Sequence, residues 1–206
     1  GSLLIELSKL EALYELNKYD AVISQCIENL YKEDDEQETL YYYLIASFLA
    51  MQRYPEAMGF CKEAEGKYPG SSLFIYLHSK ALLGLGENKQ AAQYIEKALS
   101  MEPNRAQYYA QYCQILMEQQ KFPKAKKMID KALELECTEI KYHLANALVI
   151  YMLGGEKIAK EIIEEVLKKE PHNEDALYLK QGIFTSRLKE KKSILKGLLA
   201  RNPLDE

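Results

Sequence analysis

The sequence predicts an all-α protein in which about six helical hairpins repeat along 206 residues. Three observations predict this fold: prolines recur near every 34 residues, alanines recur in the same register, and bulky apolar residues lie seven residues apart between them. A fixed period of this length is typical of repeat proteins, in which each unit buries its apolar face against its neighbours.

The prolines define the period. Pro69 and Pro103 are 34 residues apart, Pro171 follows after twice that spacing, and Pro203 follows after a further 32. Cys137 occupies the intermediate position at which a proline is missing. Proline cannot continue a helix, so each of these positions predicts the end of a unit. The predicted units, which form a single array, are 4–37, 38–71, 72–105, 106–139, 140–173 and 174–206.

Small residues return at two positions of each unit. Where two antiparallel helices cross closely there is no room for a larger side chain, and forcing one in costs about 1–3 kcal/mol. We therefore expect these positions to lie at helix crossings. The two columns are Ala57, Ala91, Ala125 and Ala159, and then Ala64, Ala98, Ala132 and Val166.

Bulky residues fill two further columns, and a spacing of seven places both on one helical face. The columns are Tyr41, Ile75, Tyr109, His143 and Leu177, and then Phe48, Leu82, Leu116, Ile150 and Phe184. Between the two helices of a unit come Gln-Arg-Tyr-Pro from residue 52, Gly-Glu-Asn-Lys from 86, Gln-Lys-Phe-Pro from 120 and Gly-Glu-Lys-Ile from 155. Glycine ends helices and proline opens them, so each unit is predicted to be a helical hairpin.

With these columns the sequence resembles the tetratricopeptide repeat family over essentially its whole length. The unit that matches the family pattern best does so at Tyr41, Leu44, Ile45, Phe48, Ala57, Ala64 and Pro69. The resemblance implies a right-handed superhelical solenoid. Both end units depart from the pattern. The first has a turn that we expect to be shorter around Asn17–Tyr19, with Val22 and Asn29 in place of alanine. The last has Lys191 and Leu198 at its small positions.

The charge argues against a nucleic-acid or anionic membrane partner, because the net charge is −4 and the pI about 5.6. Residues 1–71 carry a net −7 and the remainder +3. The acidic run Glu33–Glu36 with Glu38 is interpreted as a solvated connector, with a docking role as the alternative. The basic stretch Lys121–Lys131 is balanced by five acidic residues within 106–139.

No catalytic, cofactor or metal site is predicted. The four cysteines and three histidines lack ligand spacing, and Gly84–Lys89 is interpreted as a turn rather than a nucleotide loop. We also expect no membrane contact and a cytoplasmic location, because the sequence contains no long apolar run. Gly1 and Ser2 are typical of a cloning remnant, so a signal or anchor outside this sequence stays an open alternative.

His78 and Asn146 occupy a column that is usually apolar. An unpaired buried polar group costs about 1–3 kcal/mol. We therefore expect hydrogen-bonded or partly hydrated side chains here, with a ligand-binding role as the alternative.

The family resemblance also implies that the first helix of each unit lines a concave groove. We predict a scaffold that binds a peptide or helix of another protein there, because tyrosine gives a large contact area at low rotamer cost. The alternative is a self-associating assembly subunit, a homo-oligomer that uses exposed terminal repeats. The basic and asparagine set with which some family members bind chaperone tails is absent. The predicted partner-binding residues are Tyr42, Tyr76, Lys80, Leu83, Gln114, Met117, Leu144, Tyr151 and Tyr178.

Overall fold

The computed structural model describes residues 2–32 and 37–183, and within them it shows eleven α-helices and no strand. The all-α prediction is confirmed. The acidic run Glu33–Glu36 and the predicted features at Phe184, Lys191, Leu198 and Pro203 lie outside the described residues. The helices are α1 (Ser2–Glu15), α2 (Tyr19–Leu30), α3 (Gln37–Ala50), α4 (Tyr54–Lys67), α5 (Ser72–Gly84), α6 (Asn88–Met101), α7 (Ala106–Glu118), α8 (Phe122–Leu135), α9 (Ile140–Met152), α10 (Glu156–Lys169) and α11 (Glu174–Ile183).

The turn inside each hairpin follows one hydrogen-bond pattern. In the α5–α6 turn, Gly86 has φ +80°, its N–H donates to the Leu83 carbonyl at 3.0 Å, and the Glu87 N–H donates to Leu82 at 2.9 Å. These two bonds form a Schellman motif, which satisfies the last carbonyl groups of a helix. The residues at the corresponding left-handed position of the other four turns are Asn17, Gln52, Gln120 and Gly154.

One prediction about these turns is wrong. The α1–α2 turn is no shorter than the α3–α4 turn, because residues 16–18 and 51–53 separate the helices equally and Lys18 N–H bonds to Leu13 as Arg53 N–H bonds to Phe48. In the α9–α10 turn, where two glycines are adjacent, the left-handed residue is Gly154. The Schellman geometry fixes which residue needs a positive φ, and a count of glycines does not.

The small residues lie where the crossing argument places them. Every alanine of the two columns has no accessible surface, and Val166 retains 5%. Of the bulky columns, Tyr41, Ile75, Phe48, Leu82 and Leu116 are buried. Within each compact unit described below, the core therefore runs between the helices of a hairpin and between neighbouring hairpins.

The chain divides into two compact units between Met101 and Glu102. In the first unit, α2 packs on α3 and α4 on α5; in the second, α8 packs on α9 and α10 on α11. The first helices of consecutive hairpins are also in contact: α3 touches α5, and α9 touches α11. The single array of six repeats stays a prediction.

Candidate partner-binding faces

The nine predicted residues lie on the first helices of the hairpins, and they fall into two sets. The first-unit face comprises Tyr42 on α3 with Tyr76, Lys80 and Leu83 on α5. The second-unit face comprises Gln114 and Met117 on α7, Leu144 and Tyr151 on α9, and Tyr178 on α11. Within one helix their spacing of three, four or seven residues keeps the side chains on one side.

Tyr42 joins two consecutive hairpins of the first unit. Its ring stacks on Phe74 with centroids 4.4 Å apart, and its hydroxyl donates to Glu38 Oε1 at 2.9 Å. Ser71 Oγ lies 3.1 Å from the same hydroxyl oxygen. Tyr42 is thus half-buried and packs between two consecutive repeats, against the start of α5.

The rest of the first-unit face is recessed. Tyr76 is 3% exposed and Leu83 is 6% exposed, while the Lys80 ammonium lies 5.1 Å from the centre of the Tyr76 ring. At this distance the cation is attracted to the negative face of the ring. The aromatic surface at Tyr76 is therefore already covered within the chain.

The second-unit face has a buried part and an open part. Gln114, Met117 and Leu144 retain 3%, 1% and 1% of their surface. Tyr151 is half-buried, and Tyr178 is 60% exposed. The two tyrosines that keep accessible surface thus lie on α9 and α11, which are in contact.

Sequence reasoning missed two features of the second-unit face. Gln107 and Gln111 are buried with Gln114, and the spacing of four and three residues places all three amides on one side of α7. Basic groups also lie over tyrosine rings, at 5.6 Å for Arg105 over Tyr108 and 5.0 Å for Lys124 over Tyr112. The spacing of the glutamines could have revealed the first feature, whereas the second depends on side-chain geometry.

The two polar residues in the apolar column differ. His78 is 2% exposed, its Nδ1 lies 2.8 Å from Glu65 Oε2, and its ring packs on Tyr94 with centroids 4.1 Å apart. The prediction of a hydrogen-bonded side chain is confirmed for His78. Asn146 is half-buried, and its Oδ1 has no hydrogen-bond partner.

Three of the four thiols are poor nucleophiles. Burial raises the pKa of Cys26 to about 12, and it also raises the pKa of Cys61 and Cys113 well above the ordinary range. Because the thiolate is the reactive form, these side chains act as small apolar core residues. Cys137 is exposed in the α8–α9 loop.

A cavity of about 470 Å³ opens beside α9 and α10 in the second unit. Its apolar wall consists of Ile140, Ile158, Ile162 and Val166. His143, Thr138 and Cys137 line one part, and Glu161, Glu165 and Lys169 on α10 complete it. Within the part of the chain that the structure describes, no cluster of three or more His, Cys, Asp or Glu side chains could hold a metal ion.

Residues 82–149 match the family model described as tetratricopeptide repeat. None of the curated proteins compared is a match for this sequence. Solved structures resemble the chain closely in fold. The thermophilic TPR protein TTC0263 of Thermus thermophilus has a TM-score of 0.76 at 21% identity, over 86% of this chain and 96% of that one.

Two further structures have the same fold. A tetratricopeptide repeat protein from Parabacteroides merdae has a TM-score of 0.68 at 15% identity, over 96% of this chain and 78% of that one. YrrB, described as a TPR protein with an unusual peptide-binding site, has a TM-score of 0.59 at 16% identity, over 85% of this chain and 90% of that one.

Proposed function

We propose that this chain, of which residues 82–149 match the tetratricopeptide repeat model, is a non-catalytic scaffold that binds a peptide or helix of another protein on its first helices. The fold supports protein–protein interaction in general. The proposal is that the open part of the second-unit face provides the main contact surface.

The observation that carries this proposal is the exposure of Tyr178. Tyr178 is 60% exposed on a first helix, and Tyr151 on the adjacent first helix is half-buried, so the two rings offer accessible apolar area. Tyrosine loses little rotamer freedom on binding, and its hydroxyl can bond a peptide main chain. A further support is YrrB, a protein of similar fold described as having a peptide-binding site.

The nine predicted residues would then have different roles. Tyr178 and the half-buried Tyr42, Lys80 and Tyr151 would contact the partner directly. The five buried residues would instead support the surface and set its shape, because they have little area to offer. These are Tyr76, Leu83, Gln114, Met117 and Leu144.

The test compares two tyrosines of equal exposure. Tyr178→Ala should weaken partner binding about tenfold or more, as expected for a binding hot spot. Tyr31→Ala is the matched control, because Tyr31 is 62% exposed but follows α2, which is a second helix. Affinity capture from native lysate with quantitative mass spectrometry identifies proteins that are lost only with Tyr178→Ala, and calorimetry with one purified partner measures the loss. Equal retention by both variants would reject the proposal.

Self-association through terminal repeats stays a prediction, and sedimentation equilibrium over a range of concentrations tests it directly. A single monomer mass at every concentration would exclude the homo-oligomer. None of the described helices has both the length and the apolar character needed to cross a bilayer. The cytoplasmic location remains part of the proposal, as does the absence of nucleic acid among the partners.

A further inference from the structure

At the position equivalent to the cavity beside α9 and α10, one repeat earlier, the chain itself places a tyrosine ring beside a lysine. In the α7–α8 hairpin, the Tyr109 hydroxyl donates to the Pro103 carbonyl oxygen at 2.8 Å. The ammonium group of Lys131 lies 5.8 Å from the centre of the Tyr109 ring. The fourth repeat thus places an aromatic ring beneath a cation at this position.

The fifth repeat keeps the hydrogen bond but not the ring or the cation. His143 takes the place of Tyr109, and its Nε2 lies 2.6 Å from the carbonyl oxygen of Cys137, which replaces Pro103. A carbonyl oxygen only accepts, so Nε2 is the donor. The imidazole is smaller than a phenol, and a cysteine lacks the proline ring. At these two positions, which both line the cavity, the fifth repeat therefore has smaller side chains than the fourth.

The charge beside the cavity is reversed as well. Glu165 stands where the fourth repeat has Lys131, and Glu161 lies one turn earlier on α10. Glu165 pairs with Lys168 at 3.0 Å, and both side chains are more than half exposed, so this pair is weak. Lys169 also lines the cavity, which leaves its wall with a charge of −1 from two carboxylates and one ammonium group.

We propose that this cavity is a second binding site, one that takes an aromatic side chain of another protein flanked by lysine or arginine. The guest supplies the ring and the cation that the fourth repeat provides from its own sequence. The ring would cover Ile158, which is 54% exposed, and would pack against Ile162 and Val166. The flanking cation would lie near Glu161 and Glu165. This site shares no residue with the two first-helix faces, although Ile140 and His143 lie on the first helix α9.

The first experiment uses blocked tripeptides as probes of the whole chain. Acetyl-Lys-Phe-Lys-amide should shift the isoleucine methyl NMR signals of Ile140, Ile158 and Ile162 in a saturable way. Acetyl-Glu-Phe-Glu-amide and acetyl-Lys-Ala-Lys-amide should bind at least about fivefold more weakly, because each lacks one of the two required contacts. Absence of saturable shifts with the first peptide, or equal binding of all three, would overturn the proposal.

The second experiment closes the cavity with residues that the fourth repeat already uses. His143→Tyr should retain the hydrogen bond to the Cys137 carbonyl and fill part of the cavity. We expect it to weaken binding of the first peptide about tenfold or more. Glu165→Lys, at an exposed position where unfolding is not expected, should weaken it about fivefold. Glu134→Lys on α8 is the charge-matched control and should leave binding unchanged.

The outcomes distinguish other occupants. Unaltered peptide binding in both His143→Tyr and Glu165→Lys would show that the peptide binds elsewhere. Movement of the Ile158 signal with protein concentration alone would assign the cavity to a second copy of this chain and would also overturn the proposal. If the Tyr178→Ala variant lost binding of the partner protein while the His143→Tyr variant kept binding of the first peptide, the proposed function would stand and this site would be rejected.

Discussion

The fourth and fifth hairpins, α7–α8 and α9–α10, share a turn geometry and an alanine at the first crossing, yet they differ beside the first helix, where the fifth holds a cavity and the fourth has a tyrosine bonded to Pro103. Both end their first helix with a left-handed residue, Gln120 or Gly154, and both bury an alanine without accessible surface at the first crossing. The side chains at the proline and tyrosine positions differ, and so does the small residue of the second crossing. The backbone of a repeat thus keeps its conformation when smaller side chains pack beside its first helix, because the helix crossings hold the hairpin together.

The second crossing shows how a cavity relaxes a packing constraint. Ala132 has no accessible surface in the fourth repeat, while the fifth repeat accepts Val166 at the same position. Val166 and His143 both line the cavity. We infer that the smaller ring of His143 leaves the room that two extra methyl groups require, and that Tyr109 denies this room to position 132.

The largest expected effect is that of Ala132→Val, which should lower the free energy of unfolding by about 1–3 kcal/mol because it overpacks the crossing. The double variant Ala132→Val/Tyr109→His should lose less free energy of unfolding than the sum of the losses in the two single variants, since the smaller ring makes room for valine. Urea denaturation of the two single variants and the double variant measures this coupling. Strict additivity would contradict the link between the two positions.

A smaller effect is expected for Tyr109→His alone. The change should open a cavity in the fourth repeat and cost about 1–2 kcal/mol through lost apolar burial. His143→Tyr is the reciprocal variant and should raise stability, because it fills volume that exists already. Thermal unfolding followed by circular dichroism compares the two directly, and shifts of the same sign would be inconsistent with the comparison.

The smallest effect concerns the turns. Gly154 has φ +94° and no atom lies within 4 Å of the place that an added methyl group would take, so Gly154→Ala should cost about 1 kcal/mol from backbone strain alone. Gln120 has φ +59°, and Gln120→Gly should stabilise the fourth repeat by up to about 1 kcal/mol for the same reason. Chemical denaturation provides the measurement. Destabilisation by Gln120→Gly would show that the glutamine side chain outweighs the strain.

Much of the fold could be predicted because it depends on features that repeat in the sequence. Ala57, Ala91 and Ala125 indicate helix crossings because any γ-carbon would clash there. Which of Gly154 and Gly155 takes the left-handed conformation could not be predicted, since two adjacent glycines are equivalent in sequence and only the hydrogen bonds of the turn distinguish them. A local pattern identifies a turn but not its register.

The candidate faces were predicted less fully. The family resemblance placed Tyr76, Gln114 and Tyr178 on first helices, and the structure has them there. It gave no indication that Tyr76 and Gln114 are buried while Tyr178 is exposed. Exposure depends on what other parts of the chain cover each side chain, and helical periodicity carries no information about that.

By itself, the sequence determined the period, the hairpins and the alanine crossings, because steric exclusion and helix termination act over a few residues or recur at a fixed interval. The tertiary structure alone decided which tyrosines stay open to a partner and that His143 with Cys137 leaves a cavity. Both depend on volumes that side chains from different helices share, and such volumes exist only after the helices have packed.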